Sequence, residues 1–312
     1  MILALAGGVG GAKLAHGLAA VLPPAELTIV VNTGDDFEHF GLHVAPDLDT
    51  MMYTLAGLAN PQTGWGLAGE TWEFMSAIER LGGPSWFRLG DHDLATHAER
   101  TRRLAAGEAL SDVTGDFCRR LGVACRVSPM SDAQVRTFVR TDIGVLAFQH
   151  YFVRERCEPR LRALEYRGAM EAMPAPAFRE ALASPELQAV IVCPSNPYLS
   201  IGPMLELAGV RNALTTRTPI IAVSPIVGGQ ALKGPTAKIM AELDVEPSAL
   251  GIAEYYQDLV DILVIDPADA ALAPRVKALG MSAVVAPIVM LTEADRRHLA
   301  LECVDIASRE AA

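Results

Sequence analysis

The first eighteen residues, MILALAGGVGGAKLAHGL, constrain the fold more than any other stretch of the chain. Met1 to Ala6 is an uncharged apolar run. It breaks into Gly7-Gly8-Val9-Gly10-Gly11, and a helical pattern resumes through Lys13, Leu14 and Leu18. Strand, glycine turn and helix in succession is how an α/β protein aims backbone N–H groups and a helix N-terminus at a phosphate. The spacing fits neither common fingerprint. Counting from Gly8-x-Gly10, the third glycine of G-x-G-x-x-G falls on Lys13. Read as the end of a phosphate loop, Gly11-Ala12-Lys13 is followed by Leu14 where Ser or Thr is required. A nicotinamide site and a P-loop are therefore both disfavoured. Glycines followed by a lysine still point to phosphate contact, with Gly8, Gly10, Gly11 and Lys13 as the binding residues; a tight turn without a ligand is the plain alternative.

The rest of the chain alternates strands and helices. Leu27 to Asn32 is β-branched and uncharged, as a strand covered on both faces should be, and it ends in Thr33-Gly34-Asp35-Asp36. Pro46-Asp47-Leu48-Asp49-Thr50 opens a helix with Leu48, Met52, Leu55 and Ala59 on its apolar face, its acids suiting the N-terminal dipole. Residues 64 to 122 read as a helical insertion over the sheet: one segment with Phe74, Met75, Ile78 and Leu81 on a face, one after Asp91-His92-Asp93, and one through Val113, Phe117 and Leu121. Val135–Val139 and Gly144–Phe148 are strand-like. Ala189–Cys193, Pro219–Val223, Asp261–Ile265 and Ala283–Val285 follow as strands, and an amphipathic helix closes the chain from about Thr292. The expectation is one α/β domain over 1–312, a Rossmann-like three-layer sandwich with a mostly parallel sheet.

Composition narrows the function. A formal net charge of −11 opposes a nucleic-acid binder. Five widely spaced cysteines without a C-x-x-C pair suit small core residues in a reducing cytoplasm. The apolar N-terminus reads as a buried strand, not a signal peptide, and no run nears the roughly 18 apolar residues of a membrane span.

Four carboxylates, Asp35, Asp36, Asp47 and Asp49, fall within fifteen residues near strand C-terminal ends, which border the ligand crevice of an open sheet. Such groups hold Mg²⁺ on a diphosphate or take a proton from an attacking hydroxyl; a helix cap at Asp47 and solvated turns at 35/36 are the plainer roles. Trp86-Phe87-Arg88-Leu89-Gly90-Asp91-His92-Asp93 offers a wall for a flat heterocycle. His92 and His97 are five apart, off the spacing that puts two ligands on one helical face, so caps and surface charges are expected there. Pro194-Ser195-Asn196-Pro197 places a hydroxyl and an amide at a crevice edge. The stretch from Ser224 to Lys238 is a second glycine loop, with Gly228, Gly229, Lys233 and Lys238 and no acid, and it reads as a second anion clamp. No G-x-S-x-G motif supports acyl transfer.

Five blocks, GGVGGAKLAHGL, VVNTGDDFEHFGLHVAPDLDTMMYTLAGL, WFRLGDHDLATH, CPSNPYLSIGPML and SPIVGGQALKGPTAKIM, together resemble the 2-phospho-L-lactate transferase (CofD-like) family, in order and up to about residue 305. The resemblance implies a Mg²⁺-dependent, homodimeric enzyme of deazaflavin coenzyme (F420) biosynthesis. Its acceptor is the deazaflavin Fo and its donor a guanylylated phosphoacid carrying phospholactate, phosphoenolpyruvate or phosphoglycerate. The ribityl hydroxyl attacks the acid-side phosphorus and GMP leaves. By motif position, Asp49 and Arg88 match the family's Fo-binding residues. In that frame Asp35, Asp36, Asp47 or Asp49 hold the metal, and Asp49, Asp36 and Lys233 are the catalytic candidates. Asn32, Ser195, Asn196, Gly228, Gly229 and Lys238 complete the binding set. A gluconeogenesis-factor-like nucleotide-sugar-binding regulator is the rival, sharing the glycine start and the acidic turn but lacking need for an aromatic wall.

Overall fold

A computed structural model describes residues 1–214 and 218–310. In chain order its elements begin with β1 (Ile2–Ala6), α1 (Gly8–Val21), β2 (Leu27–Val31), a hairpin of β3 (Phe37–His39) and β4 (Leu42–Val44), and α2 (Pro46–Leu55). Then come α3 (Glu73–Arg80), α4 (Asp93–Ala105), α5 (Leu110–Arg120), β5 (Arg126–Pro129), β6 (Arg136–Thr141), β7 (Gly144–Ala147), β8 (Leu161–Arg167), α6 (Pro176–Ala183) and β9 (Ala189–Val192). The last third holds α7 (Gly202–Leu205), α8 (Val210–Leu214), β10 (Ile220–Val223), the β11 (Ile226–Val227) and β12 (Gln230–Ala231) hairpin, α9 (Thr236–Glu242), α10 (Ala249–Tyr255), β13 (Ile262–Ile265), α11 (Ala273–Ala278), β14 (Ser282–Val285) and α12 (Glu293–Glu310).

A seven-stranded sheet of order β14-β13-β10-β9-β1-β2-β5 carries the molecule, and each of its pairings is parallel. β1 lies inside it because it has no polar side chain to keep in water: Leu3 and Leu5 enter the core on one face, Ile2, Ala4 and Ala6 the core on the other. α1, α2, α5 and α12 supply the second of these cores, so the expected three layers are present. The opposite face is covered by α6 to α11 and by a separate antiparallel sheet, β7-β6-β8.

The hairpins β3–β4 and β11–β12 and two longer strands go beyond the sequence reading. β5 and β8 carry Arg126, Arg162, Glu165 and Arg167, because β5 is an edge strand with Arg126 exposed and β8 is only partly covered. Leu81, expected on the buried face of the first inserted helix, is 85% exposed, since α3 stops at Arg80 and Leu81 is its C-cap. α5 is packed on β5 and reaches the main core, which makes it part of the crossover from β2 to β5. Among the described residues no helix is long and apolar enough to cross a membrane.

Candidate functional site

The sheet reverses direction at β1: the chain first adds β2 and β5 on one side, then β9 and its successors on the other. Ligands of open α/β sheets bind at such a switch point, outside the strand C-terminal ends. Here those ends are Ala6-Gly7 and Cys193-Pro194-Ser195. Ser195 Oγ accepts the Gly7 N–H at 2.9 Å and donates to the Gly7 carbonyl at 2.8 Å, lacing the two strand ends together. The glycine run is not a free loop. α1 starts at Gly8, so Gly8 to Gly11 form its first turn. A Cβ on Gly10 would stand 2.4 Å from the Pro194 carbonyl oxygen, and one on Gly11 2.5 Å from Ser195 Oγ. Two of the glycines are thus demanded by packing across the switch point. Gly8 and Gly10 line a cleft of about 770 Å³; Gly11 is not among its lining residues.

The first turn of α1 contains no acid of its own. Asp47, from the first turn of α2, supplies one: its Oδ1 accepts the Gly8 N–H at 2.9 Å and its Oδ2 the Asn32 side-chain amide at 3.0 Å. Asn32 is held in turn by the Gly34 N–H at 2.9 Å, so it positions Asp47 and does not itself line the cleft. Burial pushes the Asp47 carboxyl up to about 6 against the pull of these two donors. Asp35 also lines the cleft, and its Oδ1 is buried without a hydrogen-bond partner among the described residues. Burial first, then the Asp47 and Asp36 charges, raises its pKa well above the usual range. Asp36 is elsewhere: its Oδ2 meets His43 Nε2 at 3.0 Å, outside the cleft lining.

Asp49 lines the cleft from α2 and is backed by a buried polar network. The Arg100 guanidinium spans both its oxygens, Nη2 on Oδ1 and Nη1 on Oδ2 at 3.2 Å. His97 Nδ1 lies 3.6 Å from Asp49 Oδ2, and its Nε2 lies 3.4 Å from Asp93 Oδ2. Tyr53 donates to Asp93 Oδ1 at 2.5 Å. His97 is 1% exposed, which corrects the expectation of a surface or capping residue there. Asp49, Asp93 and His97 stand close enough to share a metal, but the Arg100 charge already occupies Asp49, and the cluster reads as an ion-pair network. Sequence reasoning missed Arg100, His97, Asp93 and Tyr53 as site residues. The available signal was the i, i+4, i+7 spacing of Asp93, His97 and Arg100, which puts three polar groups on one stripe of α4.

The second glycine loop divides. Gly228 and Gly229, at φ +56° and +76°, are the two central residues of the β11–β12 hairpin, as a type I′ turn requires. The Gly228 N–H is taken by Asp269 at 3.0 Å. Neither glycine lines the cleft. Lys233 does, with Nζ donating to the Thr63 carbonyl at 2.9 Å. Lys238 does not: Glu242 holds it at 2.6 Å, with the Pro159 carbonyl and Tyr151 hydroxyl at 3.3 Å. Lys13 joins Lys233 in the lining and donates to the Met290 carbonyl at 2.7 Å; burial, with Arg296 and Lys233 nearby, lowers its pKa. Asn196 lines the cleft while its side chain caps the Tyr198 and Leu199 amides at 2.9 and 3.0 Å.

The expected aromatic wall is present. Trp86 and Phe87 line the cleft with Trp65, Phe148 and Phe152. Arg88 lines it too, its guanidinium 4.1 Å above the Trp72 ring. Asp91 instead caps α3, accepting the Glu73 and Phe74 N–H groups at 2.9 and 3.0 Å.

Comparison with known proteins places the chain in a family. Residues 2–290 match the family model described as 2-phospho-L-lactate transferase CofD. A phosphoenolpyruvate transferase of Kitasatospora aureofaciens is 43% identical over 297 residues, 93% of this chain and 92% of that one. A phosphoenolpyruvate transferase of Streptomyces coelicolor is 40% identical and covers 98% of each chain. A 2-phospho-L-lactate transferase of Methanosarcina mazei is 36% identical over 96% of this chain and 98% of its own. Among solved structures, a UPF0052-family protein from Bacillus halodurans superposes with a TM-score of 0.60 at 14% identity, over 96% of this chain and 98% of that one, a likeness of fold. With the family model spanning nearly the whole chain and these relatives aligned end to end, the chain belongs to the 2-phospho-L-lactate transferase CofD family.

Proposed function

We propose that this protein transfers a phosphoacid from a guanosine diphosphate-linked donor to the ribityl hydroxyl of the deazaflavin Fo, releasing GMP. The observation that carries the reading is that one cleft is lined at once by an aromatic set (Trp65, Trp86, Phe87), by the glycine turn of α1 with Lys13 and Lys233, and by Asp35, Asp47 and Asp49. The aromatic faces suit a flat ring. The turn and the two lysines suit a diphosphate. The acceptor oxygen attacks the acid-side phosphorus, the anhydride bond breaks with its electron pair leaving on GMP, and the hydroxyl proton passes to solvent. Asp49 orients that hydroxyl and Arg88 holds the deazaflavin; Lys13 and Lys233 offset the charge of the diphosphate. Positioning and charge neutralisation would carry most of the rate, as in other phosphoryl transfers.

Mg²⁺ fits the donors present. Asp35 Oδ1 is an unpartnered buried oxygen at the cleft, Asp47 stands beside it, and carboxylate oxygens are the ligands this ion takes. Asp35 and Asp47 would hold it, since Asp49 is committed to Arg100 and Asp36 to His43. Bound there, the ion would supply positive charge to offset the diphosphate.

For the acid, 40–43% identity to phosphoenolpyruvate transferases of Kitasatospora and Streptomyces, against 36% to a 2-phospho-L-lactate transferase of Methanosarcina mazei, supports phosphoenolpyruvate. A cytoplasmic homodimer is the setting the family resemblance carries, and five buried free cysteines suit a reducing compartment. The test is mass spectrometry with the three guanylylated donors in competition. Fo-dependent GMP release with the phosphoenolpyruvyl product dominant is expected. GMP release without Fo, or donor binding with no product, would overturn the reading, the second outcome in favour of a nucleotide-binding regulator.

A further inference from the structure

Among the described residues, Arg100 is the one arginine in the set of largest fully buried side chains, at 1% exposure. It sits in the middle of α4, a helix otherwise rich in charge and poor in apolar residues, and it does not line the cleft. Its guanidinium reaches Asp49 from behind, one Nη on each carboxylate oxygen. It also donates to the His43 carbonyl at 3.3 Å and lies 3.5 Å from His97 Nδ1. A fork-to-carboxylate pair of this kind fixes direction as well as charge, because two parallel N–H donors leave the carboxylate plane no freedom to turn. Each Asp49 oxygen gives one lone pair to Arg100 and keeps another for a group in the cleft.

The surrounding groups explain why Arg100 is needed. Asp49 and Asp93 are two carboxylates bridged by a single imidazole, His97. Tyr53 serves Asp93, with its hydroxyl also 2.8 Å from Thr96 Oγ1. Nothing in that chain supplies Asp49 with a fixed positive charge except Arg100. A buried ion left without its partner is strongly unfavourable, so loss of the guanidinium leaves Asp49 free to rotate away from the cleft.

We infer that Arg100 is a positioning residue for the acceptor substrate: its fork holds Asp49 aimed into the cleft, so that Asp49 acts as a fixed hydrogen-bond acceptor for a hydroxyl-bearing ring compound and not as a metal ligand. The inference rests on the transferase reading above and deepens it, since it assigns the specificity for the acceptor to a pair of which only one member touches the ligand.

The test uses Arg100→Gln and Arg100→Lys in the full chain. Deazaflavin binding is followed by its own fluorescence, without donor and without turnover. Arg100→Gln is expected to weaken Fo binding by about tenfold or more while the donor KM stays within about twofold. Arg100→Lys, which keeps the charge but not the fork, should fall between. A purely structural role would lower the melting temperature and the active fraction without this split. The cycle Arg100→Gln, Asp49→Asn and the double variant, read in melting temperature, is expected to be non-additive, with Asp49→Asn relieving much of the Arg100→Gln loss. Equal Fo affinity in Arg100→Gln and wild type, or equal loss for both substrates, overturns the role of Arg100 alone. Absence of Fo binding by the wild type overturns the transferase reading and that role together, while the melting-temperature cycle still reports the pair.

Discussion

Asp47 accepts the Gly8 N–H at 2.9 Å, so the helix that faces the cleft has its first amide satisfied by a carboxylate from a different helix. The Gly8 amide is thus already taken, and a ligand anion at this turn relies on Lys13 and Lys233 for its countercharge. The same carboxylate is buried beside Asp35 and Asn32, and its protonation differs between folded and unfolded chain.

Its pKa of about 6 in the fold lies above the ordinary 3.8. The folded state therefore binds more protons than the unfolded one between those values, and its stability falls as pH rises through them. The full effect is on the order of 3 kcal/mol at about 1.4 kcal/mol per pKa unit. Asp47→Asn removes it. In metal-free protein, the melting temperature of Asp47→Asn relative to wild type is expected to rise from about pH 4 to pH 6 and level off above. A difference independent of pH would show that Asp47 titrates normally.

The glycines of α1 separate by position. Gly17→Ala would drive a Cβ to 2.1 Å from the Arg296 carbonyl oxygen on α12, at a position that does not line the cleft. Gly10→Ala drives one against Pro194 at the switch point. Both should lose about 1–3 kcal/mol of stability, the usual range for overpacking. Steady-state kinetics on the folded fraction should then find wild-type KM values in Gly17→Ala and a raised donor KM in Gly10→Ala.

Lys233 and Lys238 stand five residues apart and are expected to differ in kind. Lys233→Met should lower kcat/KM for the donor by about tenfold or more, as loss of a charge-assisted contact does. Lys238→Met removes an i, i+4 pair with Glu242. It should cost at most about 1 kcal/mol and leave the kinetics unchanged. Paired melting curves and initial rates check both.

Arg88→Ala is expected to raise the KM for Fo by about tenfold or more, with Arg88→Lys intermediate. Arg88 is exposed and its packing partner is the Trp72 ring, so the melting temperature should barely move. A large loss of stability with an unchanged KM would place Arg88 outside the acceptor site.

What the sequence made visible follows from how completely a segment is buried. β1, β2, β9, β10 and β13 are apolar throughout because both faces are covered, and their limits were readable to within a residue or two. β5 and β8 were hidden by Arg126, Arg162, Glu165 and Arg167, which an edge or half-covered strand tolerates. In the site, Asp47, Asp49, Lys13 and Lys233 could be picked out because they flank strand ends and glycine turns, and Arg88 only through its position in the family motif. Lys238 could not be told from Lys233, since their directions depend on α9 starting at Thr236. Gly228 and Gly229 looked like a phosphate loop because a hairpin turn also demands positive φ. Arg100 was invisible for a different reason: a buried arginine in a charged helix has no signature until its partner is brought to it from fifty-one residues away.

β1 pairs with β2 at residues 27–31 on one side and with β9 at 189–192 on the other. During synthesis the second edge of this wholly apolar strand stays open until more than 150 further residues have been made, roughly 10–30 s at ordinary elongation rates. Gly7 meets Ser195 only after that, so one edge of a wholly apolar strand stays unpaired on the growing chain while the intervening elements are made.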